Sequence, residues 1–132
     1  PLLLLAGGTG LAPLLSILQT LAMQRSARPV TLLYGVTRDS DLVKTDALEA
    51  FTGQLPAYRW LPVVADAQSQ CPQRGFVTDH LNDAILNDGD VDIYLCGPPP
   101  MVNAVSTALR ERGISPAGFW YEKFIASQSA AA

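Results

Sequence analysis

The chain has 132 residues, 48% of them hydrophobic and 16% charged, and a net charge of −3. That is one domain of ordinary size with enough apolar material to bury a core, which excludes a disordered tail. Nine Lys and Arg against twelve Asp and Glu speak against nucleic acid as a partner, since phosphates call for a basic face. Two cysteines, Cys71 and Cys96, make neither a disulfide framework nor a zinc site, so no metal is expected. No apolar run approaches the ~20 residues of a membrane helix, and no membrane partner is expected.

The first residues are Pro1-Leu2-Leu3-Leu4-Leu5-Ala6, without Met. A signal peptide would carry a charged leader and a longer apolar run. The segment reads instead as a strand buried on both faces. A strand at the very first residue sets the expectation that the chain is a piece of a longer protein.

Leu2–Ala6 is thus the first predicted strand. Leu14–Met23 repeats apolar residues at helical spacing. Val30–Val36 is rich in β-branched and aromatic residues and reads as a second strand. Asp41–Phe51 is predicted helical, with Leu42, Leu48 and Phe51 on its apolar face. Tyr58–Val64 is a third strand that Pro62 makes irregular or places near an edge. Asp66–Arg74 is polar, holds Pro72 and reads as a loop. Thr78–Leu86 is predicted helical, capped by Thr78 or Asp79. A fourth strand, Asp92–Cys96, precedes a helix from Pro100 to Arg112 that stops at Gly113. Phe119–Ile125 is the last predicted strand, and 126–132 is read as a frayed, flexible tail after a domain of residues 1–125. Strict alternation of strand and helix predicts an α/β fold: three layers, α/β/α, around a five-stranded parallel sheet of Rossmann-like type.

In such sheets ligands bind at the carboxyl ends of the strands, where the strand order reverses. The loops after strands one, two and four are therefore the candidates. Gly7-Gly8-Thr9-Gly10-Leu11-Ala12-Pro13 lies directly between strand and helix. Its glycines let backbone approach a phosphate, and a helix N-terminus offers free N–H groups. Pro13 stands where GxGxxG has its third glycine, and no Lys-Ser/Thr follows as in a P-loop. A tight turn without a ligand is the plain alternative. Tyr34-Gly35-Val36-Thr37-Arg38 suits the adenosine half of a nucleotide, or is a solvated turn with a surface Arg. In Cys96-Gly97-Pro98-Pro99-Pro100-Met101 the prolines make a stiff loop that holds Cys96 at the strand's mouth. A lone Cys there is also an ordinary small core residue. His80 is read as part of a solvated helix face and Cys71 as incidental.

Taken together, Gly7–Pro13, Tyr34–Arg38, Gly75–Thr78, Tyr94–Val102 and Tyr121–Phe124 resemble, in order and spacing, the pyridine-nucleotide domain of the ferredoxin–NADP⁺ reductase superfamily. The Tyr121-Glu122-Lys123-Phe124 ending and the run from Gly75 to Leu81 look most like the reductase component of benzoate, toluate or anthranilate dioxygenase systems. The resemblance spans Leu2 to Phe124. It implies that Gly7, Gly8, Thr9, Gly10, Leu11, Ala12 and Pro13 hold the pyrophosphate of NAD(H), with Thr9 close to the nicotinamide. Gly35, Thr37 and Arg38 would meet the adenosine half. Cys96 would lie beside the carbon that gives up hydride, in a pocket shaped by Gly97, Pro98, Pro99 and Met101. Glu122 matches a carboxylate near the reacting rings, and Phe124 the aromatic that covers the flavin.

NADP-preferring relatives place Ser and Arg after strand three, where this chain has Ala65-Asp66. A carboxylate repels a 2′-phosphate and accepts hydrogen bonds from a ribose diol, so Asp66 points to NADH. The alternative is that Asp66 caps a turn and Arg38 or Arg74 sets preference. The resemblance further implies an NADH-dependent, cytoplasmic oxidoreductase with FAD and a [2Fe–2S] cluster on other domains. Its partners would be the flavin-binding domain of the same polypeptide and a terminal dioxygenase. The isolated fragment is expected to be inactive. Two other readings stay open: a nucleotide-binding module without redox chemistry, and the reductase of a monooxygenase system.

Overall fold

A computed structural model of the chain describes residues 1–123. Phe124, Ile125 and the 126–132 segment, on which three of the expectations fall, lie outside the described residues. Five strands form one parallel sheet: β1 (Leu2–Gly7), β2 (Val30–Val36), β3 (Tyr58–Val64), β4 (Asp92–Gly97) and β5 (Gly118–Lys123), in the order β3-β2-β1-β4-β5. β1 is central and buried along its whole length, which is why it is an unbroken apolar run rather than an alternating one.

Side chains of β1 alternate between two cores. Leu2, Leu4 and Ala6 face the layer of α1 (Leu11–Met23) and α2 (Thr45–Ala50), meeting Leu14, Leu18 and Leu48. Leu3 and Leu5 face the other layer, of α3 (Asp83–Leu86) and α4 (Pro99–Glu111), meeting Ile85, Val102 and Val105. The predicted α/β/α sandwich is the one observed. Pro62 sits in β3, an outer strand, where a missing ladder donor is tolerated.

The helices depart from expectation in instructive ways. α1 begins at Leu11, earlier than predicted, with Pro13 in its first turn. Proline is acceptable there because first-turn N–H groups have no intrahelical acceptor. The predicted helix Asp41–Phe51 is broken. A 3₁₀ turn covers Asp39–Asp41, Lys44 takes a left-handed φ of 59°, and α2 is only Thr45–Ala50. Part of the cause is Tyr34, whose hydroxyl accepts from the Val43 N–H at 3.3 Å and donates to the Asp41 carbonyl at 3.4 Å. It satisfies backbone groups that a helix would otherwise pair. The predicted helix Thr78–Leu86 is likewise split into a 3₁₀ turn, Val77–His80, and the single turn α3. Asp79 accepts from the Phe76 N–H at 2.8 Å, and Asn82 caps α3 by accepting from the Ile85 N–H at 2.9 Å. α4 ends, as predicted, with Gly113 just beyond it at a φ of 68°.

Leu33 on β2 is fully buried, whereas Met23 at the end of α1 is 84% exposed. Leu33→Ala should lower unfolding stability by about 2–5 kcal/mol, and Met23→Ala should change it by less than about 0.5 kcal/mol. Denaturant midpoints at a common m-value measure both.

Candidate functional site

The strand order reverses beside β1, because the chain moves outward through β2 and β3 and then returns to place β4 on the other flank. The loops leaving β1 and β4 therefore diverge and open a cleft at the carboxyl ends of the strands. Its volume is about 800 Å³.

The first wall is the glycine loop. Gly8 has a φ of 57°, a left-handed conformation that a side chain would strain. Its N–H donates to the Gly35 carbonyl at 3.0 Å, and the Gly10 N–H donates to the Gly7 carbonyl at 2.9 Å. These bonds fold the loop so that α1 starts at the cleft. Gly10 is the N-cap of α1 and has no side chain to accept from the first turn, no other side chain caps it, and no acidic residue lies in that turn. Pro13 brings no donor. The amides of Leu11 and Ala12 remain at the positive end of a 13-residue helix, and both residues line the cleft.

The floor needs glycine. A Cβ on Gly97 would come within 2.7 Å of the Met101 Sδ, and one on Gly7 would overlap the same sulfur. A Cβ on Gly35 would come within 2.7 Å of the Val77 Cγ2. Met101 thus lies across the ends of β1 and β4, and Val77 packs on the end of β2. Small residues here set the depth of the cleft.

Cys96 and Glu122 face each other in register on β4 and β5. The Cys96 thiol donates to the Glu122 Oε2 at 3.9 Å, and Cys96 is 6% exposed. Burial pushes the thiol pKa up, and the charge and hydrogen bond of Glu122 push it the same way. The group is held as a neutral S–H, so it is not a thiolate nucleophile. His80 donates nothing to it: its Nε2 lies 3.0 Å from the Arg74 carbonyl oxygen, in an exposed turn.

Of the residues singled out in the sequence, Gly7, Gly8, Thr9, Leu11 and Ala12 line the cleft from one side. Gly35 and Thr37 line it from the loop after β2, and Pro98 and Met101 from the start of α4. Gly10 and Pro13 shape the turn behind that wall, Gly97 lies beneath Met101, and Pro100 rather than Pro99 reaches the cleft. Cys96 and Glu122 stand at neighbouring strand ends outside the lining. Arg38 is exposed, with its N–H on the Asp41 carboxylate at 3.0 Å.

Asp66 is also outside the lining. Its Oδ1 accepts from the Gln68 N–H at 2.9 Å, so it caps a turn. The only titratable side chains lining the cleft among the described residues are Asp41 and Lys44. Neither was singled out, because both sit inside a stretch that reads as continuous helix. Phe76, Val77 and Thr78 also line the cleft. They belong to the Gly75–Thr78 segment on which the resemblance partly rests, and Gly75 takes a φ of 101°. Among the described residues no group of three or more His, Cys, Asp or Glu side chains could hold a metal ion.

The arrangement suits a nicotinamide dinucleotide: free first-turn amides for a diphosphate, a glycine floor that admits a flat ring, and walls with little side-chain charge. The family model for the oxidoreductase NAD-binding domain matches residues 4–107. The toluate 1,2-dioxygenase electron transfer component of Pseudomonas putida is 55% identical over 127 residues, 96% of this chain and 38% of that protein. The 2-halobenzoate 1,2-dioxygenase electron transfer component of Burkholderia cepacia is 49% identical over 94% of this chain and 37% of its own length. A crystal structure of an Amycolatopsis cytochrome P450 reductase superposes with a TM-score of 0.81 at 35% identity, covering 94% of this chain and 37% of that one. The chain thus spans less than two fifths of the length of these two curated relatives. Sheet order, glycine loop and family match agree, and the chain belongs to the oxidoreductase NAD-binding domain family, with the fold of the ferredoxin reductases.

Proposed function

We propose that residues 1–125 are the NADH-binding domain of a cytoplasmic flavoprotein reductase. The whole protein takes hydride from NADH onto FAD and passes single electrons, through a [2Fe–2S] centre, to an aromatic-ring dioxygenase of the benzoate 1,2-dioxygenase type. The flavin and the cluster belong to other domains of the same polypeptide, and the oxygenase is a separate partner. Support for the system comes from the identity to the toluate and 2-halobenzoate components. No helix among the described residues is long and apolar enough to cross a membrane.

The observation that carries the redox reading is the Cys96–Glu122 pair at adjoining strand ends beside the cleft. A module that merely bound a nucleotide would have no use for a buried thiol tied to a carboxylate at that point. Bound NADH supplies hydride, and a flavin converts the two-electron transfer into single-electron steps. The chain's own residues bind and orient. The Leu11 and Ala12 amides hold the diphosphate, Thr9 lies toward the nicotinamide end, and Pro98 and Met101 close the ring pocket. Cys96 stays neutral and keeps its S–H on Glu122. Glu122, the acceptor of that S–H, then stands near the mouth, where its carboxyl oxygens favour positive charge developing on a neighbouring ring. Phe124 is proposed to cover the flavin.

NADH is proposed over NADPH because Asp41, at the adenosine end, offsets the charge of Lys44 and leaves the lining residues no net positive charge to hold a 2′-phosphate. Asp66 contributes only by shaping the loop. In the full-length protein kcat/KM should favour NADH by about tenfold or more; an equal or reversed preference contradicts the assignment. Cys96→Ser should slow flavin reduction by about tenfold or more while leaving the NADH Kd within about twofold. Stopped-flow flavin absorbance at several NADH concentrations separates the two quantities, and an unchanged rate removes Cys96 from the chemistry.

A further inference from the structure

The loops after β2 and β3 form the outer end of the cleft. Thr37, Asp41 and Lys44 line it from the first loop, and Ala65 and Gly75 from the second. Loops on their own are the mobile part of an α/β domain. Here they are tied together. The Ala65 N–H donates to the Val36 carbonyl at 3.0 Å and the Asp66 N–H to the Thr37 carbonyl at 2.9 Å, so backbone bonds join the two loops just past the strands. Beyond that point the second loop swings away and returns to β3 where the Val64 N–H donates to the Gln73 carbonyl at 3.0 Å and the Gly75 N–H to the Val64 carbonyl at 2.9 Å.

The side chain that ties this excursion across to the first loop is that of Ser69. Ser69 is 4% exposed and is the only buried polar residue among the described residues. Its hydroxyl donates to the Asp39 Oδ1 at 2.6 Å, across to the first loop, and accepts from the Cys71 N–H at 2.9 Å. Its own N–H donates to the Asp66 carbonyl at 3.0 Å. A buried hydroxyl with donor and acceptor both used is costly to disturb, and a bond to a carboxylate is stronger than one between neutral groups. Neither Ser69 nor Asp39 lines the cleft, so neither touches a ligand there.

We propose that Ser69, through Asp39, is a positioning residue for the adenosine half of the dinucleotide. It holds the two loops at the separation that half requires, and it has no part at the Cys96 end. The proposal rests on the reading of the cleft as a dinucleotide site. It predicts a loss confined to one half of the ligand.

The test uses the full-length protein with ferricyanide as electron acceptor, and ADP-ribose and nicotinamide mononucleotide as competitive inhibitors. Ser69→Ala and Asp39→Ala should each raise the KM for NADH and the inhibition constant of ADP-ribose about tenfold. kcat and the inhibition constant of nicotinamide mononucleotide should not move. The double variant should be no worse than either single one by more than about twofold, because both remove the same bond. Asp39→Asn, which keeps an acceptor for the hydroxyl, should stay near the wild type. An unchanged KM in both alanine variants overturns the proposal, as does a parallel rise in both inhibition constants, which would signal general loosening. Failure of ADP-ribose to compete in the wild type would instead overturn the dinucleotide reading, and the proposal with it.

Discussion

β1 and β4 lie side by side with Gly7 and Gly97 at their carboxyl ends, and the thioether of Met101 closes over both. There is no room at either glycine for a Cβ without moving that sulfur. The close approach fixes where α1 begins, because the chain must turn within Gly8, Thr9 and Gly10 to reach Leu11. It also fixes where α4 begins, with Pro98 and Pro99 turning the chain away from β4. The cleft is the space left between these two departures, so its floor and the walls on either side of β1 and β4 follow from one packing constraint.

That constraint explains how an acidic chain can hold an anion. A net charge of −3 offers no general attraction to phosphate, and the cleft carries one Asp and one Lys that roughly offset each other. Affinity for a diphosphate must come from backbone. In the proposed binding mode the uncapped first turn of α1 supplies it, with Gly10 at the N-cap and Pro13 leaving no third donor to satisfy. Oriented amides in a formed loop need no rearrangement on binding and depend little on salt, unlike flexible lysines. At the ends of β4 and β5, burial and Glu122 push the Cys96 thiol pKa up.

The strands were legible because burial on both faces leaves an unbroken apolar run in β1, and β-branched and aromatic residues mark β2 and β3. Leu2–Ala6, Val30–Val36 and Tyr58–Val64 were read almost to the residue. The short helices were not. Asp41–Phe51 and Thr78–Leu86 have helical spacing, yet the Tyr34 hydroxyl, the Asp79 carboxylate and the Asn82 cap redirect their backbone groups. Such bonds depend on tertiary placement, and nothing local announces them. The same limit shaped the site. Glycines with a structural duty stood out: Gly7, Gly8 and Gly35, singled out in the sequence, line the cleft, and Gly97 lies beneath Met101. Asp66 was given a contact with ribose that its turn-capping bond does not favour, while Asp41 and Lys44 line the cleft unannounced. Ser69, one serine in a polar loop, carries no sequence signal; its burial and its bond to Asp39 exist only in the fold.

The central claim is that the backbone at the start of α1 holds the diphosphate of NAD(H), with the nicotinamide directed toward Cys96 and Glu122. A crystal structure of the full-length protein soaked with NAD⁺ tests it most directly. The account predicts phosphate oxygens within hydrogen-bonding distance of the Leu11 and Ala12 amides and the adenosine between the loops after β2 and β3. A dinucleotide bound away from the glycine loop, or lying in the cleft with its adenosine toward Cys96, would contradict it.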